Sequence, residues 1–379
     1  MGGSRPRPFN EIPPGTEKYE YINSLGSVQG DMSTTKPNIA EHPFTKGMIP
    51  QHLELLAQSA REVEFEPGQK ILHQGKSAFQ FYLLRAGRVA IESHFANHVD
   101  IPVQEVGAGD ALGWSWLFPP FTWHFQARTL EGTKAIFLDG AKLLVACEEN
   151  HEFGYELMKR IAHILINRLQ AARKLALGSR FSKGRTTAIS EAPERSPGVE
   201  KFHAQTVQAI MAKQPFLKGM RSEHMKTLAS CAMGTEFKLG QLIFREGEMA
   251  NRFYLIERGK VALEAPGPEG EAALIQELGD GDVLGWSWLF PPYYWHFDAR
   301  AVAPTLAVFL YGTRLREHCE QDPDLGYDLM KRFAQVLIQR LQATRTDLLE
   351  TLPARANASN KVADQPAGGS APVPGRSNR

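Results

Sequence analysis

The sequence predicts a mainly β protein with flanking helices: two antiparallel β-rolls of the jelly-roll type in tandem, each closed by C-terminal helices. Three observations predict it. The chain lies over itself without a gap at an offset of 172 residues. Within each copy, apolar residues recur with a period near two between regularly spaced glycines, as short antiparallel strands and their turns require. Beyond those strands the apolar period lengthens to that of a helix, in both copies.

The repeat sets the domain organisation. His42-Pro43-Phe44 falls on Gln214-Pro215-Phe216, and Cys147 falls on Cys319. Gly68, Gly75, Gly87, Gly113 and Gly140 fall on Gly240, Gly247, Gly259, Gly285 and Gly312. A repeat of this length is a globular domain, not a solenoid unit. The expected domains are residues 41–178 and 213–351, joined by a linker at 179–212. Each is expected to fold alone. The second half of the linker, from Val199 to Met211, is expected to hold a short helix. Residues 1–40 and 352–379 are rich in Pro, Gly, Ala and polar types and read as disordered.

Each copy opens with a helix; in the first it runs from Ile49-Pro50, where proline suits a first turn. Val63, Phe65, Ile71, Phe81, Leu83, Val89 and Ile91 then mark strands, punctuated by Pro67-Gly68, Gly75, Gly87 and Gly107/Gly109. After Asp139-Gly140, Leu157, Ile161, Ile164, Leu165 and Leu169 make one apolar stripe. Leu329, Phe333, Val336, Leu337 and Leu341 repeat it. These closing helices are expected to pack on the roll or on each other, and to offer a surface for homo-oligomerisation.

Composition narrows the function. With 43 basic and 42 acidic residues, the chain has no global attraction to nucleic acid or to an anionic membrane. Three cysteines with no C-x-x-C pair argue against zinc and for reduced thiols in a cytoplasm. Cys147 and Cys319 read as small core residues. No apolar run reaches the length of a membrane span, and the first 41 residues hold no apolar signal segment. No phosphate loop, dinucleotide fingerprint or zinc-protease motif occurs, so no enzyme is expected. Arg173, Lys174, Arg180, Lys183 and Arg185 form a basic stretch that reads as a solvated helix end.

Both copies carry Gly-Gln…Gly…Phe-Tyr-Leu…Gly-x-Val-Ala…Gly-Asp-x-Leu-Gly. This pattern resembles the cyclic-nucleotide-binding domain, found in catabolite activator protein and in regulatory subunits of cyclic-AMP-dependent protein kinase. The tandem arrangement is closer to the kinase subunits. The resemblance implies a nucleotide phosphate docked in the segment after the Gly-Asp-x-Leu-Gly run. It also implies a ligand-driven population shift of the closing helices toward a protein partner. No helix-turn-helix follows the closing helix, so specific binding to DNA is not expected.

The matching segments, Leu112–Arg128 and Leu284–Arg300, differ at three positions and hold all six tryptophans. The candidate ligand residues are Gly113, Trp114, Ser115, Trp116 and Arg128, with Gly285, Trp286, Ser287, Trp288 and Arg300. An indole face stacks on a purine or fills a core, and the sequence leaves both open. Ser115 and Ser287 could cap the short helix or donate to a phosphate; Arg128 and Arg300 could reach an anion or the surface. His124 and His296 read as structural. Trp114 and Trp286 stand where the family sets a glutamate, and no arginine stands near Phe121-Thr122 or Tyr293-Tyr294, where the family sets one. Cyclic AMP is therefore expected to bind weakly, and no other cofactor is implied.

Overall fold

The computed structural model describes residues 31–32, 38–94, 100–118, 121–182, 207–266 and 272–351. A two-residue strand, β1 (Asp31–Met32), precedes helix α1 (Pro50–Ala57), which has proline in its first turn. The first roll follows as β2 (Ala60–Phe65), β3 (Lys70–Leu72), β4 (Gln80–Ala86), β5 (Arg88–His94), β6 (Asp100–Gly107), β7 (Ala111–Leu112), β8 (Gln126–Thr129) and β9 (Thr133–Asp139). Its two antiparallel sheets are ordered β1-β2-β9-β4-β7 and β3-β8-β5-β6. The second roll comprises β10 (Ala232–Phe237), β11 (Leu242–Phe244), β12 (Arg252–Arg258), β13 (Val261–Pro266), β14 (Ala272–Leu278), β15 (Val283–Leu284), β16 (Asp298–Ala301) and β17 (Thr305–Tyr311). Its sheets are ordered β10-β17-β12-β15 and β11-β16-β13-β14.

The unbroken apolar run Phe81-Tyr82-Leu83-Leu84 in β4 shows why the strands read as they do. Tyr82 and Leu84 face the roll interior with Val63, Val89 and Phe137. Phe81 and Leu83 face the other way, into the core shared with the helices. A strand buried on both faces loses its polar alternation. Gly87 and Gly259 hold tight turns at φ +89° and +114°; a Cβ at Gly87 would lie 2.5 Å from Thr133 Oγ1.

Six α-helices follow α1 among the described residues: α2 (Gly140–Glu149), α3 (His151–Ser182), α4 (Val207–Lys213), α5 (Ser222–Ser230), α6 (Gly312–Gln321) and α7 (Pro323–Thr351). The closing helices α3 and α7 pack along each other, and Leu165, Leu169, Leu337 and Leu341 join one continuous core that spans both repeats. Helix α3 runs to Ser182, past the expected domain end, and α4 covers only the end of the helix expected in the linker. Residues 1–30, 33–37, 183–206 and 352–379 lie outside the described residues, so the disorder expected at 1–40 and 352–379 falls largely outside them; within 1–40, β1 and residues 38–40 are described.

The contacts between repeats are reciprocal. Tyr155 donates to Glu320 at 2.9 Å, and Tyr327 donates to Glu148 at 3.1 Å. A Cβ on Gly154 would lie 2.8 Å from the Tyr327 ring, and one on Gly326 would lie 2.8 Å from the Tyr155 ring. One side of the helix pair is also tied by His151 Nδ1 and Asp324 Oδ1 at 2.6 Å. The repeats are thus related by a pseudo-two-fold axis within one chain. The closing helices, expected to pack on the roll or on each other, pack on each other within one chain, and their apolar stripes are covered there. No described helix is long and apolar enough to cross a membrane.

Candidate functional site

Each candidate site begins where the sheet ends in a glycine. Gly113 follows β7 at φ +87°, and a Cβ there would lie 2.6 Å from the Gln80 carbonyl and 3.0 Å from the Trp123 ring. Gly285 at φ +86° meets Trp295 at 2.9 Å in the same way. Glycine is needed for its backbone and for its missing side chain. The space it leaves is filled by the indole of Trp123 or Trp295. The next residues form a single 3-10 turn, Ser115–Leu117 or Ser287–Leu289, with no side-chain cap. Further on, Phe121 and Tyr293 sit at φ 54° and 60°, uncommon for bulky residues. Their carbonyls accept from Ala78 and Ala250 amides at 2.7 Å, which pins the turn.

Over each glycine turn lies the closing helix of the other repeat. Ile338, Leu341 and Arg345 of α7 cover Gly113, Trp114 and Ser115, leaving a cavity of about 40 Å³. Leu169, Gln170 and Arg173 of α3 cover Gly285, Trp286 and Ser287 around about 30 Å³. The swap is complete: neither cavity is closed by its own repeat alone.

Arg345 lines the first cavity, Arg173 and Arg340 line the second, and Arg168 lies behind the first against Trp114; all four are buried, at 4% exposure for Arg168, 2% for Arg173, 6% for Arg340 and 3% for Arg345. Arg168 donates to the Ala111 carbonyl and lies 4.3 Å over Trp114. Its repeat mate Arg340 donates to the Val283 carbonyl at 2.5 Å and lies 4.4 Å over Trp286. From the opposite helix, Arg345 donates to Gln104 at 2.5 Å and lies 4.7 Å over Phe125. Arg173 donates to Gln276 at 2.6 Å and lies 5.4 Å from both Trp286 and Phe297. Burial pulls Arg168 and Arg340 down to about 10, against the fields of Asp110 and Asp282. Burial pulls Arg173 and Arg345 down to about 9, helped by the like charges of Arg340 and Arg168 respectively. All four remain cations at neutral pH.

The structure gathers Gly113, Trp114 and Ser115, and likewise Gly285, Trp286 and Ser287, around the cavities. It places the other candidates elsewhere. Trp116 and Trp288 are fully buried in the core, tilted against Phe81 and Phe253, with Gly140 and Gly312 tight against their rings. Arg128 binds Glu92 at 3.0 Å and Asp100 at 2.5 Å, and Arg300 binds Glu264 at 3.2 Å. Carboxylates on the roll already satisfy both. Ser287 Oγ lies 3.1 Å from His296 Nδ1 instead of capping its turn. His124 and His296 line the cavities, and burial lowers the pKa of each. Arg173, read from sequence as part of a solvated basic stretch, is instead buried because α7 and β14 cover it.

Sequence reasoning missed Trp123, Trp295 and the four helix arginines. The signal was present: Arg168 and Arg340 stand three residues after Leu165 and Leu337, within the apolar stripe. A charge at matched apolar positions in both repeats is the pattern of a buried ion. The placement of Arg128 gives a direct check. Arg128→Met is expected to destabilise the protein by about 1.5–3 kcal/mol, since Glu92 and Asp100 lose charge-assisted partners. Urea unfolding measures this, and a ligand titration on the same variant should be unchanged.

The family match agrees with this architecture. The model of the cyclic nucleotide-binding domain matches residues 62–150 and 235–322. The chain is 26% identical over 143 residues to a "CRP-like cAMP-activated global transcriptional regulator" of Mycobacterium tuberculosis, matching 38% of this chain and spanning 62% of that relative's length. Among solved structures, it is similar to a putative cyclic nucleotide-binding protein from Geobacter metallireducens, at 28% identity and TM-score 0.33, covering 36% of this chain and 99% of that one. It is also similar to the regulatory domain of Toxoplasma gondii PKA with cAMP, at 15% identity and TM-score 0.28, covering 75% of this chain and 90% of that one. With the fold, the repeat and both family matches in register, the chain carries two cyclic nucleotide-binding domains in tandem.

Proposed function

We propose that the protein is a regulatory sensor, not an enzyme, whose two cassettes take a nucleotide or another small anionic ligand and signal through the paired closing helices to a protein partner. One observation carries the reading: each cassette is roofed by the other repeat's closing helix. Occupancy and inter-repeat packing are therefore linked. Pockets for drug-sized ligands run to roughly 300–1,000 Å³. The two cavities, at about 40 and 30 Å³, are closed forms by that measure. A whole nucleotide enters only if the roofing helix lifts or Trp123 or Trp295 turns aside, and a ligand preferring that open form shifts the population toward it. The same small volumes favour a second reading, a module that binds no nucleotide and acts as a structural or interaction protein.

Calorimetric titration of cyclic AMP and cyclic GMP, with hydrogen exchange along α3 and α7, separates the two. Saturable binding that changes exchange in both helices is expected. Cyclic AMP should bind weakly, because neither cassette carries the family's glutamate or arginine within its own segment. Silence from cyclic mononucleotides and other small anions alike would leave the interaction module as the correct reading.

A further inference from the structure

We propose that Arg168 with Arg345, and Arg340 with Arg173, form two phosphate-binding sites, each built from both closing helices. The inference rests on the reading of the cassettes as ligand sites and names the residues and the chemical group.

The arginines are the observation that the fold alone does not explain. A buried cation is normally paired with a carboxylate, because desolvation is costly without a partner. No carboxylate hydrogen-bonds any of these four among the described residues. Arg168 and Arg340 give one Nη2 each to a backbone carbonyl. Arg173 and Arg345 give theirs to glutamine amides, which leave the positive charge uncompensated. Asp110 and Asp282 bear on Arg168 and Arg340 only through space, and their own carboxylates accept from the Gly107 and Gly279 amides.

Donors are left over as well. Arg168 Nη1, Arg340 Nη1, Arg173 Nε and Arg345 Nε are buried without a hydrogen-bond partner. Arg173 lies in the field of Arg340, and Arg345 in that of Arg168, so each site brings two like charges together. Stacking on Trp114, Trp286 or Phe125 occupies the guanidinium faces and leaves the in-plane N–H groups to a ligand. The planar fork of arginine suits the oxygens of a phosphate. The cavities, at about 40 and 30 Å³, hold at least a water each, so a phosphate oxygen has somewhere to sit. The arrangement occurs twice, with each member at the matching repeat position. A phosphate bound there bridges α3 and α7 and ties the repeats together.

The phosphate can be free or part of a nucleotide, and the experiment distinguishes the two. The full chain is titrated with inorganic phosphate and, separately, with cyclic AMP, in a buffer otherwise free of oxyanions and at ionic strength matched with chloride. Melting temperature and tryptophan fluorescence are followed, because Trp114 and Trp286 lie against the arginines. A saturable rise in melting temperature with phosphate, absent with chloride, is expected. In the Arg173→Met, Arg345→Met double variant, phosphate should bind about ten- to a hundredfold more weakly. That variant should melt at or above the wild-type temperature without phosphate, because two unpaired buried charges are gone; this separates lost binding from lost folding. Arg173→Lys with Arg345→Lys should keep a weaker phosphate response. If only cyclic AMP binds wild type and the Met variant loses it, the phosphate is the nucleotide's and the proposal stands. If the Met variant binds either ligand as wild type does, the arginine sites are wrong while the cassettes remain ligand sites. If wild type responds to neither, the arginine sites are wrong, while the sensor reading still rests on the titrations with cyclic GMP and other small anions.

Discussion

Gly154→Val combined with Gly326→Val is expected to destabilise the protein by about 2–6 kcal/mol, from roughly 1–3 kcal/mol of overpacking at each position. The cause is the approach of the closing helices. A Cβ on Gly154 would lie 2.8 Å from the Tyr327 ring and 2.9 Å from the Cys147 carbonyl, and one on Gly326 would meet Tyr155 and the Cys319 carbonyl at 2.8 and 2.9 Å. The rings could yield, but the carbonyls belong to the ends of α2 and α6 and cannot move without shifting those helices. Displacing either tyrosine also strains its hydrogen bond to Glu320 or Glu148. Gly132→Ala is the control, since nothing lies within 4 Å of a Cβ there. Thermal unfolding reads both. A double variant that melts with wild type would mean that the helices do not pack this closely.

The order of strands and helices was legible because it depends on local signals: turn glycines, two-residue alternation and a helical stripe, each present twice. The inter-repeat swap was not. Leu165 and Leu169 announce an apolar face, yet whether that face meets its own roll, its neighbour or another chain depends on the path of the linker, which carries no periodicity. The same limit hid the site. Trp114 and Trp286 were legible as candidates because they sit in the cassette. Arg345 lies far along the chain from the cavity it enters, at Gly113, and only the pseudo-two-fold arrangement brings it there. Arg128 misled for the opposite reason: it lies next to the cassette in sequence, but Glu92 and Asp100 on neighbouring strands claim it. Trp123 was visible as one of six tryptophans, but its role in filling the space over Gly113 follows from tertiary packing alone.

The sequence suggests that each repeat folds alone, but because α3 packs on α7, residues 41–182 alone are expected to form a homodimer, not a folded monomer. In the full chain, α3 buries Leu157, Ile161, Leu165 and Leu169 in a core completed by α7. Exposing that stripe leaves a large apolar face, which soluble monomers rarely tolerate. A second copy of the fragment supplies what α7 supplied. Glu148 stands at the repeat position of Glu320, so Tyr155 keeps an acceptor. Gly154 stands at the position of Gly326, so the tyrosine ring still has its hollow. Gln104 stands at the position of Gln276, so Arg173 keeps its amide partner. Only the His151–Asp324 contact lacks an identical mate, since Glu152 takes the aspartate's position, and that pair is partly exposed and worth at most about 1 kcal/mol. The pseudo-two-fold axis of the chain would become a true two-fold axis between fragments. Sedimentation equilibrium should therefore give twice the fragment mass at micromolar concentration, with a melting temperature that rises with concentration, as linked folding and assembly demand. Leu165→Asp with Leu169→Asp should abolish both. A wild-type fragment that stays monomeric and melts cooperatively at one temperature whatever its concentration would show that each roll closes over its own helix.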